Sequence, residues 1–355
     1  MKMKNLLILL ILIIQYINNI LCINIISNTT TTTTTTTNIY RNLNDYITDI
    51  HDAKHWCEYL QKTPEPDIIL YNRLAKCGST TIKMLFSTLS SKNNFVSHSV
   101  DKIYWRDLDL DKKLRTNFLT EINDIFTKTN DKLVVDGHWF HTEFSNNELK
   151  GVSFENIQLL RECKSRKHSK FFYGLFDSSD AVHAKTLGDK EYEKFKHEYI
   201  RSDISVNACL KDYDCIKGTR KFDRSDLEIR ALCGSKCKDL NLGDDINGAY
   251  KNTHDPNSFT IIGSLEKFPE FLEMLECAYP TILENIKDLY VKDQTHGMEG
   301  SHNSVYSPAM TKILNEACDP SFNGYVDLYD NLIKLFDDRY KYMVENRNSC
   351  CRVKK

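Results

Sequence analysis

The chain reads YNRLAKCGSTT from Tyr71 to Thr81, and the apolar run DIILY (Asp67–Tyr71) leads into it. The apolar run predicts a buried strand, and the residues from Ser79 to Leu89 predict a helix with one apolar face. A loop between a strand and a helix directs backbone N–H groups and the helix dipole at an anion. Lys76 adds a positive charge, although the GxxxxGK[ST] pattern of a Walker A loop is absent. The alternative is an ordinary helix start, with Ser79 as N-cap and a solvated Lys76.

Further apolar runs predict additional strands, and helical patterns follow them along the chain. The predicted strands are Leu133–Val135, Ile157–Leu160 and Thr260–Ile262. The clearest helical pattern has aromatic and aliphatic residues at helical spacing from Tyr325 to Tyr340. Strands that alternate with helices predict an α/β fold, a three-layer, P-loop-like parallel sheet flanked by helices.

A second candidate for anion binding follows the predicted strand Ile157–Leu160. Arg161 comes directly after this strand, and Ser169 lies eight residues further on. A guanidinium and a hydroxyl placed in this way can bind one phosphate together. Considered alone, the segment is also compatible with an ordinary basic start of a helix.

Together these segments resemble the sulfotransferases that use 3′-phosphoadenosine-5′-phosphosulfate (PAPS), and most closely the heparan sulfate 2-O-sulfotransferase and uronyl 2-sulfotransferase family. The family's 5′-phosphosulfate loop, Y-N-R-x-x-K-x-x-S-T, is matched by residues 71–80, and its Arg/Ser pair by Arg161 and Ser169. Its Gly-His pair is matched by Gly137-His138. Three later segments are also similar: the cysteine-containing Leu232–Gly234, the V-G-x-x-E-like Ile262–Glu266 and the final helix Tyr329–Tyr340. The similarity runs in the same order from about Asp67 to Asn346.

The resemblance implies transfer of a sulfuryl group from PAPS to a hydroxyl of a glycan or proteoglycan, of the uronic-acid 2-O type. His138 is then the predicted general base, and Lys76 is predicted to stabilise negative charge on the leaving oxygen. The predicted donor-binding residues are Arg73, Lys76, Cys77, Gly78, Ser79, Thr80 and Thr81 in the loop, with Arg161 and Ser169 for the 3′-phosphate. No metal is expected, since the sequence has no H-E-x-x-H or comparable cluster.

Several positions depart from the family pattern. Asp136 replaces the first histidine of H-G-H, and Glu162-Cys163 replaces an Asp-Pro pair. The family's arginine-rich acceptor segment corresponds here to Ser178–Ala181, which is not basic. The resemblance therefore supports PAPS as the donor better than it supports the family's acceptor. Two alternatives remain: a catalytically degenerate, glycan-binding surface protein, and a lumenal nucleotide-dependent kinase, which the missing Walker A context disfavours.

The N-terminus has the pattern of a secretory signal. Lys2 and Lys4 precede the unbroken apolar run Leu6–Ile14. The alternatives are a signal peptide cleaved near Cys22 and an uncleaved signal-anchor over residues 1–26, which we favour. The nine consecutive threonines of residues 29–37 then predict a disordered spacer, and residues 27–66 are predicted to be a Thr-rich stem. Residues 67–346 would form the sulfotransferase domain and residues 347–355 a tail. We expect a single-pass type II protein of the Golgi membrane with a lumenal domain.

Charge and cysteine content narrow the partners and the compartment. A formal net charge of −2 gives no global basicity, so a nucleic-acid partner is not expected. A homo-oligomer is compatible with the sequence. Twelve cysteines fit an oxidising compartment and predict local disulfides Cys209–Cys215 and Cys233–Cys237, with a zinc site as the rival. Setting Cys22 aside leaves an odd number, so at least one thiol is free or bridges to another chain.

Overall fold

A parallel five-stranded sheet forms the centre of the computed structural model. The structure describes residues 50–145, 147–169, 226–234, 237, 242–294, 311, 314–315, 318 and 324–354. The strands are β1 (Ile68–Asn72), β2 (Phe95–Arg106), β3 (Lys132–Trp139), β4 (Phe154–Leu160) and β5 (Ile261–Ser264). Their spatial order is β2-β3-β1-β4-β5, and every neighbouring pair is parallel. The predicted α/β fold is confirmed.

Helices cover both faces of the sheet. They are α1 (Ile50–Lys62), α2 (Ser79–Ser90), α3 (Lys112–Thr129), α4 (Asp226–Cys233), α5 (Leu242–His254), α6 (Phe268–Ala278), α7 (Ile286–Gln294), α8 (Gly324–Glu345) and α9 (Arg347–Cys350). Residues 163–169 are also helical, and residues 265–267 form a 3-10 turn between β5 and α6.

The two faces are separate cores because strand side chains alternate in direction. Ile69 and Tyr71 of β1 belong to a core formed with α1, α2, α6 and α8. Ile68 and Leu70 belong to the opposite core, which contains Phe118 of α3. Every residue of β1 is buried, as expected for a central strand with both faces covered. The result is the predicted three-layer arrangement.

Helix α1 falls inside residues 27–66, the range predicted to be a stem. Its Trp56 and Leu60 are fully buried, and Trp56 Nε1 donates a hydrogen bond to the Thr260 carbonyl at 2.7 Å. For residues 50–62 the stem prediction is therefore wrong. The apolar residues of the helix are buried because α8, α9 and the residue before β5 lie against them.

The C-terminus is also part of the domain rather than a tail. Helix α9 lies within residues 347–355, where Cys350 forms a disulfide with Cys57 and Cys351 one with Cys277. Arg352 is buried and forms an ion pair with Glu155 of β4. These contacts, distant in sequence, tie the C-terminus to α1 and α6.

The predicted disulfide Cys233–Cys237 is confirmed. Cys209 and Cys215 lie outside the described residues. A further disulfide joins Cys163 to Cys318. None of the helices in the described ranges is long and apolar enough to cross a membrane; the predicted anchor, residues 1–26, lies outside those ranges.

Candidate active site

Three predicted site segments meet at the carboxyl edge of the sheet. Strand β1 lies between β3 and β4, so the loop after Asn72, His138 near the end of β3 and Arg161 after β4 are neighbours. The backbone N–H of Arg73 donates to the Gly137 carbonyl at 2.7 Å, which extends the β1–β3 ladder into the loop. This edge is where parallel α/β folds bind their ligands.

The loop reaches α2 through two residues in left-handed backbone conformations, Lys76 at φ 68° and Gly78 at φ 72°. Gly78 is the N-cap of α2, and no side-chain hydrogen bond caps this helix in the described structure. The alternative with Ser79 as N-cap is therefore wrong. Because the helical ladder begins with the Ile82 N–H bonded to the Gly78 carbonyl at 3.2 Å, the amides of residues 79–81 have no intrahelical acceptor. Such amides are the groups that bind anions at helix N-termini.

Cys77 of this loop is directed into the core, and its Sγ lies 3.8 Å from the Ala75 carbonyl. Its side chain is fully buried and its thiol is free, which confirms the expectation of an unpaired thiol. Burial raises the pKa of Cys77 to about 12. The sulfur is therefore a neutral group in the core rather than a nucleophile.

Asp136, which replaces a histidine of the family pattern, pairs with Arg73. The distance from Arg73 Nε to Asp136 Oδ1 is 2.9 Å, and both side chains are at most one-tenth exposed. Ser99 donates a hydrogen bond to the other carboxylate oxygen of Asp136. The Arg73 guanidinium is thus engaged beneath the loop, where it fixes the start of the loop to β3.

His138 is held in a defined orientation by the same loop. Its Nδ1 lies 2.6 Å from the Arg73 carbonyl oxygen. A carbonyl oxygen only accepts, so Nδ1 carries the proton, and the neutral ring has its basic lone pair on Nε2. His138 is half-buried. The ring can therefore accept a proton at a nitrogen whose identity the fold determines.

Arg161 links β4 to the loop after β1. Its Nη1 donates to the Lys76 carbonyl at 3.0 Å, and its Nε lies 4.0 Å from Glu266 Oε1. Glu162 caps the helical residues 163–169, because its carboxylate accepts from the amides of residues 164 and 165 at 3.0 and 2.7 Å. Glu162 therefore performs the capping that an aspartate commonly performs. Ser169 lies at the end of this helical stretch and is half-buried.

Sequence reasoning missed Arg166, which lies behind the loop. It is buried and forms an ion pair with buried Glu228 of α4, and its Nη1 is 3.5 Å from the Ala75 carbonyl. Burial lowers the pKa of Arg166, and burial together with Arg166 lowers the pKa of Lys167 to about 8. No local signal could have revealed the pairing, because Glu228 is far away in sequence.

Helix α4 is also attached to the site through β1. Asn72 Nδ2 donates to the Ala231 carbonyl at 3.2 Å.

Over the ranges that the structure describes, no group of three histidine, cysteine or acidic side chains is arranged to hold a metal ion.

The parallel sheet flanked by helices, with the loop after β1 and His138 at one edge, is an α/β fold consistent with the sulfotransferase fold. The chain matches no protein-family model. It is 24% identical to mouse uronyl 2-sulfotransferase over 261 residues, which cover 71% of this chain and 58% of that protein. It is 24% identical to human uronyl 2-sulfotransferase over 283 residues, which cover 76% of this chain and 64% of that protein. The matches thus span less than two thirds of the relatives' own lengths. The predicted family relationship is confirmed: this chain is a distant relative of the uronyl 2-sulfotransferases.

Proposed function

We propose that the protein is a PAPS-dependent sulfotransferase that transfers a sulfuryl group to a hydroxyl of a glycan. One contact carries this proposal: Arg161 Nη1 donates to the Lys76 carbonyl at 3.0 Å. It joins the two segments predicted to bind the 5′-phosphosulfate and the 3′-phosphate. PAPS has both anions on one ribose, so its protein ligands must lie side by side. ATP has no 3′-phosphate and would not require Arg161 in this position.

The residues at the edge fit this donor. The uncapped amides of residues 79–81 and the charge of Lys76 suit the 5′-phosphosulfate. A Cβ at Gly78 would lie 2.5 Å from Leu265 Cδ1, so the loop is packed closely against the residue that follows β5. Arg161 and Ser169 supply a guanidinium and a hydroxyl for the 3′-phosphate.

His138 would act as the general base. Its Nε2 takes the proton of the acceptor hydroxyl while the acceptor oxygen bonds to sulfur and the bond between sulfur and the donor's bridging oxygen breaks. The Arg73 carbonyl keeps Nδ1 protonated, and it would stabilise the imidazolium that forms. Lys76 would stabilise the negative charge on the leaving oxygen. Bound PAPS supplies the sulfuryl group, and the products are a sulfated acceptor and adenosine 3′,5′-bisphosphate.

The proposal extends to the acceptor and the compartment. The acceptor is a glycan or proteoglycan, with uronic-acid 2-O-sulfation as the expected type because both relatives are uronyl 2-sulfotransferases. The compartment is the Golgi lumen, with residues 1–26 as a type II anchor. Disulfides such as Cys163–Cys318 and Cys277–Cys351 support an oxidising compartment.

Incorporation of labelled sulfate from PAPS into a panel of glycans tests the proposal. We expect incorporation into uronic-acid-containing glycans, and a higher melting temperature with PAPS than with ATP. Stabilisation by ATP alone would favour a kinase. Glycan binding with neither sulfate incorporation nor stabilisation by PAPS would favour the degenerate, glycan-binding alternative.

A further inference from the structure

The peptide group between Arg161 and Glu162 is held at both of its polar atoms. Tyr325 Oη donates to the Arg161 carbonyl at 2.9 Å. The N–H of Glu162 faces both carboxylate oxygens of Glu266 at 3.3 Å. Two separate parts of the chain therefore set the plane of the peptide group that directly follows the Arg161 side chain.

Glu266 is itself fixed by a hydroxyl network. Tyr329 Oη and Ser264 Oγ both donate to Glu266 Oε2 at 2.7 Å. The two hydroxyl oxygens are 2.8 Å apart, and Ser264 is fully buried. Burial is the main cause of a raised pKa for both Tyr325 and Tyr329, so both phenols remain protonated donors at neutral pH.

The two tyrosines act from one rigid element. They are four residues apart on α8, on one face of the helix, and their ring centroids are 5.9 Å apart. Tyr325 is 1% exposed and Tyr329 7% exposed. Helix α8 therefore contacts the Arg161–Glu162 peptide group in two ways. Tyr325 donates to it directly, and Tyr329 contacts it indirectly through Glu266.

We propose that Tyr325 and Tyr329 are positioning residues that orient Arg161 toward the 3′-phosphate of the donor. This inference rests on the proposed function. With the peptide plane fixed, the backbone at Arg161 and the direction of its Cα–Cβ bond are fixed as well. The Lys76 carbonyl then holds Nη1, so less side-chain freedom is lost when the phosphate binds.

The test uses substitutions that remove a hydroxyl without changing charge or ring packing. The variants are Tyr325→Phe and Tyr329→Phe, and the ligands are adenosine 3′,5′-bisphosphate and adenosine 5′-phosphate, measured by calorimetry. We expect each variant to bind the bisphosphate about three- to tenfold more weakly, the effect of about one hydrogen bond. Affinity for the 5′-phosphate should change less than about twofold, because that ligand does not need Arg161.

Tyr340→Phe is the matched control. Tyr340 is on the same helix and also donates to a glutamate, Glu273, at 3.2 Å. It lies about 16 Å further along the helix axis from Tyr329. Its loss should leave both affinities unchanged. Melting temperatures of all three variants show whether any loss follows from unfolding.

The outcomes separate this inference from the proposed function. A wild-type protein with no preference for the bisphosphate over the 5′-phosphate would overturn the proposed function, and the inference with it. A clear wild-type preference that both phenylalanine variants keep would overturn the inference alone. Equal losses for both ligands would also overturn it, since a purely structural role acts on the whole loop.

Discussion

His138 offers the most decisive test of the proposed chemistry. Replacing it with alanine removes the proposed base and the hydrogen bond from Nδ1 to the Arg73 carbonyl, 2.6 Å long. Loss of a positioned base should reduce turnover by about 10²–10⁴-fold, or about 2.7–5.4 kcal/mol of activation free energy. Loss of one hydrogen bond of a half-buried side chain should cost only about 1 kcal/mol of folding stability. That corresponds to a melting temperature lower by about 2–4 °C.

A second substitution at the same position separates the base from the hydrogen bond. In His138→Asn the side-chain amide can donate to the Arg73 carbonyl as Nδ1 does, but it cannot accept a proton at neutral pH. We therefore expect His138→Asn to keep near-normal stability and donor affinity and to remain as inactive as His138→Ala. His98→Asn is the control, because His98 on β2 is also half-buried and lies 2.8 Å from a carboxylate oxygen of Glu121.

The assay measures sulfate transfer, donor affinity and melting temperature on the same samples. The pH profile of kcat/KM for the residual activity should lack the acidic limb that protonation of the base causes in the wild type. If His138→Asn restored turnover to within about tenfold of the wild type, His138 would only hold the loop. A stable His138→Ala that binds PAPS and is fully active would remove His138 from the mechanism.

Three further predictions address the donor site and the stability of the fold. Arg161→Ala should weaken binding of adenosine 3′,5′-bisphosphate by about 1.5–3 kcal/mol, the usual contribution of a charge-assisted contact; unchanged affinity in calorimetry would mean that the 3′-phosphate binds elsewhere. Replacing Cys163 and Cys318 together by serine should lower the free energy of unfolding by about 2–5 kcal/mol, because their disulfide closes a loop with a sequence separation of 155; an unchanged denaturant midpoint would contradict this. The hydrogen bonds from Arg115 lower the pKa of Glu148 from 4.5 to about 2, so this carboxylate stabilises the fold above about pH 4.5 and the contribution is lost as the pH falls toward 2. Stability curves of the wild type and Glu148→Gln should converge over that range, and curves that stay parallel would refute the assignment.

Residues close together in sequence carried most of the site prediction. The loop from Tyr71 to Thr81, His138 and Arg161 each follow or end a strand, and a parallel sheet brings such positions to one edge. The edge that they share could therefore be predicted, whereas the spatial order that makes β3, β1 and β4 neighbours is a result of the structure. The direction of the side chains could not be predicted either: Cys77 faces the core, and Arg73 is paired with Asp136 beneath the loop.

Partners that are distant in sequence were beyond prediction. Three contacts join different parts of the chain: the ion pair of Arg166 with Glu228, the disulfide of Cys57 with Cys350, and the hydrogen bond from Tyr325 of α8 to the Arg161 carbonyl. Nothing local marks one member of such a pair as the partner of the other. For the same reason α1 is not recognisable as part of the domain from its own polar composition.

The sequence by itself determined the layers of the fold and the edge where chemistry can occur, because the spacing of apolar residues and the turn chemistry after each strand are local properties. The tertiary structure alone decided which nitrogen of His138 is basic and how Arg161 is oriented. The first depends on the hydrogen bond from His138 Nδ1 to the Arg73 carbonyl. The second depends on the hydrogen bond from Tyr325 to the Arg161 carbonyl. Such bonds form only after the sheet and its helices have packed, since packing is what brings the donor and the acceptor within 3 Å of each other.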